Sequence, residues 1–191
     1  MSRRVALALA AALFLPARAS ADWRLAPIAG STIRTETGFV DLDGVASRRH
    51  WVFGVSLTGL SSGLFGLEVE ATVVPGLFTG HQLVNSSRVL TGSASLVVAV
   101  PRSVSRIRPY AVMGIGVVHS TSSDSANLLP ITSTQPGFHI GGGLWVPVAK
   151  RVAIRGDVRF ARTTTGDDSA FAVHGAYIEM GRITGGVAVI F

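Results

Sequence analysis

Residues 64–73 read LFGLEVEATV. Phe65, Leu67, Val69, Ala71 and Val73 alternate with Gly66, Glu68, Glu70 and Thr72. Successive side chains of a β-strand point to opposite faces, so this spacing puts both carboxylates on one face and an unbroken apolar row on the other. A helix would scatter Glu68 and Glu70 around its circumference. Residues 151–161, RVAIRGDVRFA, repeat the arrangement: Val152, Ile154, Val158 and Phe160 oppose Arg151, Arg155, Asp157 and Arg159. In HWVFGVSL, residues 50–57, Trp51, Phe53, Val55 and Leu57 share one face, with His50, Gly54 and Ser56 on the other. These three segments set the period at two.

Five weaker candidates bring the strands to eight: about Trp23–Arg34, Arg88–Val100, Pro109–Ser120, Gly137–Pro147 and Ala176–Phe191. Small residues share a face in two of them, Gly114 with Gly116 and Gly141 with Gly143 and Trp145. In a narrow barrel, small inward residues leave room for large ones opposite. The connections alternate in length. Those about Glu36–Arg48, Gly80–Ser87, Thr121–Pro136 and Thr163–Gly175 are polar and mostly long. Those at Ser61-Ser62-Gly63 and Ala149-Lys150 are short, and Pro101–Arg108 is intermediate. Asn85-Ser86-Ser87 fits a glycosylation sequon and reads as part of a loop.

The N-terminus has the layout of a secretory signal peptide: Arg3 and Arg4, an apolar run from Val5 to Leu15, Pro16, then Ala19-Ser20-Ala21 as the small-residue cleavage site. The run is too short to cross a membrane as a helix, which takes about 20 apolar residues. The expected organisation is a signal peptide over 1–21 and one domain over 22–191. The chain is basic, with a formal net charge of +6, but three of its arginines (Arg3, Arg4, Arg18) lie in the signal segment. The remaining arginines are scattered and not interleaved with aromatic residues, so no nucleic-acid platform is expected. Cysteine is absent, which excludes disulfides and thiol chemistry.

Mean hydropathy is positive, yet no segment after the signal reaches a helical span. Strands can face hydrocarbon only if every backbone group is paired, which a closed barrel achieves. The expected fold is therefore all-β: an eight-stranded antiparallel up-and-down transmembrane β-barrel. Long connections after odd strands and short ones after even strands match outer loops and periplasmic turns, with both termini periplasmic.

The signal segment, PYAVMGIGV (109–117), FHIGGGLWVPVAKRVAIRGDVRF (138–160) and the aromatic last residue together resemble the small outer-membrane barrel family, which includes the transmembrane domain of outer membrane protein A and the opacity-type proteins. The resemblance covers residues 22–191. It implies a monomer in outer-membrane lipid. It also implies that Val187, Val189 and Phe191 form the C-terminal signal read by the barrel assembly machinery.

If the apolar faces meet lipid, Glu68, Glu70, Arg155, Asp157 and Arg159 point into the lumen. An eight-stranded barrel is just wide enough for its side chains to fill. Charges taken out of water must pair, so Glu68 or Glu70 is expected to reach Arg155 or Arg159. Such a network either plugs the interior or gates a narrow pore. Trp51, Tyr110, Trp145, Phe160 and Phe191 lie near strand ends or in their outer halves, where rings form interfacial girdles, although alternation turns Trp145 inward. A cation replacing outward Val69 or Ile154 should cost more than one replacing inward Thr72.

His50, His81, His119, His139 and His174 show no metal-ligand spacing, and no cofactor motif is present. Some outer-membrane barrels are lipid A hydrolases with His and Ser two residues apart on one strand, whereas here His119 is followed directly by Ser120. The expected function is non-enzymatic: a structural or surface-interaction barrel with a filled lumen. The alternatives are a narrow channel or lateral route for small hydrophobic molecules, and a lipid A-modifying enzyme. A soluble periplasmic barrel is a further reading.

Overall fold

The structure is a computed structural model that describes residues 22–37, 49–61, 63–76, 84–101, 106–124, 131–164 and 178–191. The signal segment, with Ala19 and Ala21, lies outside them, as do His81 and His174. The strands are β1 (Asp22–Thr37), β2 (Trp51–Leu60), β3 (Phe65–Pro75), β4 (Val84–Ala99), β5 (Arg108–Asp124), β6 (Ile131–Ala149), β7 (Val152–Thr163) and β8 (Ile178–Ile190). Each pairs antiparallel with the next, and β8 pairs with β1, so the sheet closes as an up-and-down barrel. Residue 191 completes the closure. Its N–H donates to Trp23 O at 3.0 Å, and Trp23 N–H donates back to Phe191 O at 3.1 Å.

Alternation decides which side chains go inside. On β3, Glu68, Glu70, Thr72 and Val74 are buried while Phe65, Leu67, Val69 and Ala71 are exposed. On β7, Ala153, Arg155, Asp157 and Arg159 are buried while Ile154 and Phe160 are exposed. The barrel is thus inside-out relative to a water-soluble domain. Its outer wall carries Leu67, Val69, Met113, Ile115, Ile140 and Ile154, and its lumen carries the charges. A contiguous apolar exterior of this extent marks a surface that meets an apolar partner phase.

Glycines on β5 and β6 keep the lumen from overfilling. A Cβ at Gly141 would sit 2.3 Å from Val158 O and 2.8 Å from Arg159 Cγ. One at Gly143 would sit 2.2 Å from Gly156 O and 2.7 Å from the Tyr110 hydroxyl. Only glycine lets these strands approach so closely while large side chains from β5 and β7 occupy the space.

Three strands run further than the apolar pattern suggests. β4 begins at Val84, β5 continues to Asp124 and β6 begins at Ile131. Asn85 and Ser86 therefore belong to a strand and not to a loop, and the connection expected over Thr121–Pro136 shrinks to residues 125–130. The added residues are mostly Ser and Thr. They pair in register, as in Ser120↔Ser133 and Thr121↔Thr132, without an apolar face to announce them.

Candidate functional site

The lumen is filled in three levels. At the end that bears the termini, Leu60, Val97, Tyr110, Val112 and Trp145 form an apolar plug with Ala26, Ile28, Ala99, Ala153 and Ala188. At the opposite end, Val52, Val74, Val89 and Met180 form a second plug, with Val118 packed against it. Six buried charges lie between the two, and Arg24 and Arg108 are buried at the end that bears the termini.

Three arginines and three carboxylates make up the middle level. Arg155 Nη1 donates to Glu68 Oε2 at 2.7 Å and to Ser56 Oγ at 2.6 Å, and its Nε donates to Asp157 Oδ2 at 2.7 Å. Arg159 Nη2 donates to Glu68 Oε1 at 2.5 Å, and its Nη1 lies 3.4 Å from Glu70 Oε2. Arg182 bonds Glu70 Oε1 through Nη2 and donates from Nη1 to Thr72 Oγ1 at 2.9 Å. Asp157 also accepts from the Tyr110 hydroxyl and from Thr184 Oγ1, each at 2.9 Å. Thr58 Oγ1 donates to Glu68 Oε2 at 2.9 Å.

Strand geometry produces this cluster directly. Arg155, Asp157 and Arg159 occupy alternate positions of β7, so all three share the lumen face, and Asp157 is held between two guanidinium groups of its own strand. Glu68 and Glu70 do the same on β3, across the barrel. The six charges sum to zero, so this level carries no net charge. A buried network of this kind is tolerable only when its members satisfy one another. One of its guanidinium groups also packs against a pair of rings: Arg155 Cζ lies 5.1 Å from the Trp145 ring centre and 5.6 Å from that of Tyr110, and the two ring centres are 6.0 Å apart.

All five charges singled out in the sequence meet here. Arg182 and Tyr110 join them. Arg182 belongs to a strand whose outward positions include Gly181 and Gly185, which blur the apolar alternation. Its inward orientation follows from counting back in twos from Ala188. Tyr110 was placed in the girdle, but it is buried. It shares parity with Gly114 and Gly116, which turns its ring inward to reach Asp157. His139 also faces the lumen, where its Nε2 lies 2.9 Å from Ser95 Oγ. Trp51, Phe160 and Phe191 are exposed on the outer wall, and Trp145 is buried in the lumen.

Among the described residues, no group of three or more His, Asp or Glu is arranged to hold a metal ion. His119 is on the outer wall, where its Nδ1 lies 2.8 Å from Thr134 Oγ1 on β6. Ser120, its chain neighbour, lies against the Ser133 carbonyl at 3.5 Å.

No protein-family model matches the sequence, and no curated protein is similar to it in sequence. Solved structures are similar in fold. Neisserial surface protein A (NspA) superposes with a TM-score of 0.66 at 13% identity, over 89% of this chain and 97% of its own. The outer membrane protein OprG from Pseudomonas aeruginosa gives a TM-score of 0.60 at 14% identity, over 90% and 96%. The outer membrane enzyme PagL gives 0.51 at 14% identity, over 85% and 97%. The fold is that of the small eight-stranded outer-membrane barrels.

Proposed function

We propose that this chain is an integral outer-membrane β-barrel protein without catalytic activity, whose lumen is a filled structural core and whose outer connections present its interaction surface. The observation that carries this reading is the inverted distribution of side chains on a closed sheet. Exposed Ile, Leu, Val, Phe and Met cover the wall, while three ion-paired arginines sit in the lumen. Hydrocarbon demands such a sheet, because each strand must pair on both edges and only the inward face can host charge. Both termini would lie in the periplasm, and Val187, Val189 and Phe191, all exposed on β8 or just after it, would be read by the assembly machinery. The test is electrophoretic mobility of protein from outer-membrane fractions, boiled against unboiled. A shift on boiling is expected from a closed, detergent-resistant barrel. A single unshifted band from the soluble periplasm would overturn the reading.

One observation favours a second reading, an enzyme acting on outer-leaflet lipid. The His119–Thr134 pair is exposed on the wall, where an imidazole beside a hydroxyl can accept its proton. Mass spectrometry of lipid A from cells expressing the protein or its His119→Ala variant separates the readings. Unaltered lipid A in both supports the non-catalytic barrel, and a modification lost in the variant supports the enzyme.

A further inference from the structure

The end of the barrel that bears the termini is basic. Arg24, Arg106, Arg108, Lys150 and Arg151 lie there, and among the described residues Asp22 is the sole acidic side chain at that end. The connecting segments 61–64, 100–107 and 149–151 contain no Asp or Glu at all. Elsewhere among the described residues, Glu68, Glu70 and Asp157 are committed to the lumen and Glu179 lies near the far end of β8.

Four of these cations line two adjoining concavities. Arg106 and Lys150 line a cleft of about 520 Å³ together with Pro147, Val148 and Ala149. Arg106 and Pro147 also line an adjoining hollow, which reaches Arg24, Arg108, Trp145 and Ile190. A β-bulge builds the cleft: the β6–β7 register slips between Pro147 and Ala149, opposite Val152. Bulges re-aim side chains at barrel rims, and this one leaves Val148 on the surface beside Lys150. The floor is rigid. Arg108 donates from Nε to Val100 O at 2.8 Å and from Nη2 to Gly63 O at 3.0 Å, and Arg24 Cζ lies 5.1 Å from the Trp145 ring centre. The cleft therefore combines two cations, Arg106 and Lys150, with the exposed Val148, and Leu144 is exposed further along the same strand.

We infer that this cleft binds an anionic glycerophospholipid, with its phosphate between Arg106 and Lys150 and an acyl chain against Val148 and Leu144. The inference rests on the membrane-barrel reading, in which this rim lies at the headgroup level of one leaflet. Charge complementarity selects the anionic headgroup, and the adjoining apolar wall selects a lipid over a soluble anion or a sugar polymer.

The protein, folded in a neutral detergent and first checked for its mobility shift on boiling, is incubated with equal amounts of phosphatidylglycerol and phosphatidylcholine of the same chains. Native mass spectrometry then counts the adducts. At least tenfold preference for phosphatidylglycerol is expected, lost in Arg106→Gln/Lys150→Gln and kept in Arg106→Lys/Lys150→Arg and in Arg88→Gln at the opposite end. Inorganic phosphate in millimolar excess should not displace the lipid. Equal adducts of both lipids in the wild-type protein would overturn the inference, independently of any variant. So would displacement by phosphate, a preference unchanged in the Gln variant, or co-sedimentation with purified peptidoglycan lost in that variant without a lipid preference. A wild-type protein with no mobility shift would instead strike the barrel reading, and this inference with it.

Discussion

Asp157 accepts hydrogen bonds from Tyr110, Arg155 and Thr184, with Arg159 Nη2 at 3.4 Å from its Oδ2. A lumen so tightly committed should respond sharply to single atoms. Gly143→Ala would force a methyl group to 2.2 Å from a backbone carbonyl, so strands β6 and β7 must separate locally. Overpacking of that kind costs about 1–3 kcal/mol or more. Gly156→Ala on β7 meets nothing within 4 Å and should change stability by less than about 0.5 kcal/mol. Urea unfolding of the two variants in lipid vesicles compares them, and equal losses would refute the assigned faces. Charge should behave cooperatively at the same scale. Arg159→Met leaves Glu68 and Glu70 short of a partner, at a cost of about 3–5 kcal/mol. Combining it with Glu68→Leu restores neutrality. The double variant is therefore expected to be more stable than the sum of the single ones predicts, by about 0.5–3 kcal/mol. Additive costs would show that Arg159 and Glu68 do not act as a pair.

Along each strand, the period of two told most of the story. The faces of β2, β3 and β7 were legible because large apolar residues alternate there with charged or small polar ones. Legibility ended where that contrast ended. Asn85–Ser87 and Ser120–Asp124 are parts of strands made up of polar residues alone, and Arg182 stands among glycines. Tyr110 differs: it sits near a strand end, where rings often form a girdle, but its parity with Gly114 and Gly116 on the same strand fixes its direction inward. The site was legible as a list of charges but not as a set of bonds, because pairing across the barrel depends on which strands lie opposite at which height. One expectation about substitutions also changes. A cation at outward Val69 or Ile154 should still cost about 2–4 kcal/mol near the midplane. A cation at Thr72 is no longer the milder change, since Thr72 is buried and accepts a hydrogen bond from Arg182. Thr72→Lys would place two cations together in a packed space. Comparing folding yields into vesicles for Val69→Lys and Thr72→Lys tests this, with both expected to fall and a normal yield for Thr72→Lys counting against a filled lumen.

For the whole molecule, the order of levels matters more than any one of them. A barrel closed only by its ion network would open when the network is removed, because the vacated space would fill with water and conduct. Here the network lies between two apolar plugs, Trp145 with Leu60 and Val97 on one side and Val52 with Val74, Val89 and Met180 on the other. An apolar constriction resists water even when nothing charged blocks it. Glu68→Ala with Glu70→Ala should therefore lower stability without producing conductance in a planar bilayer. Adding Val74→Ser and Val89→Ser opens the plug at the end away from the termini but leaves the Trp145 level intact, so current should appear only when Trp145→Ala is included as well. Steady conductance from the wild-type protein, or from the Glu variant alone, would mean that the apolar levels do not seal the lumen, and the narrow-channel reading would then replace the structural one.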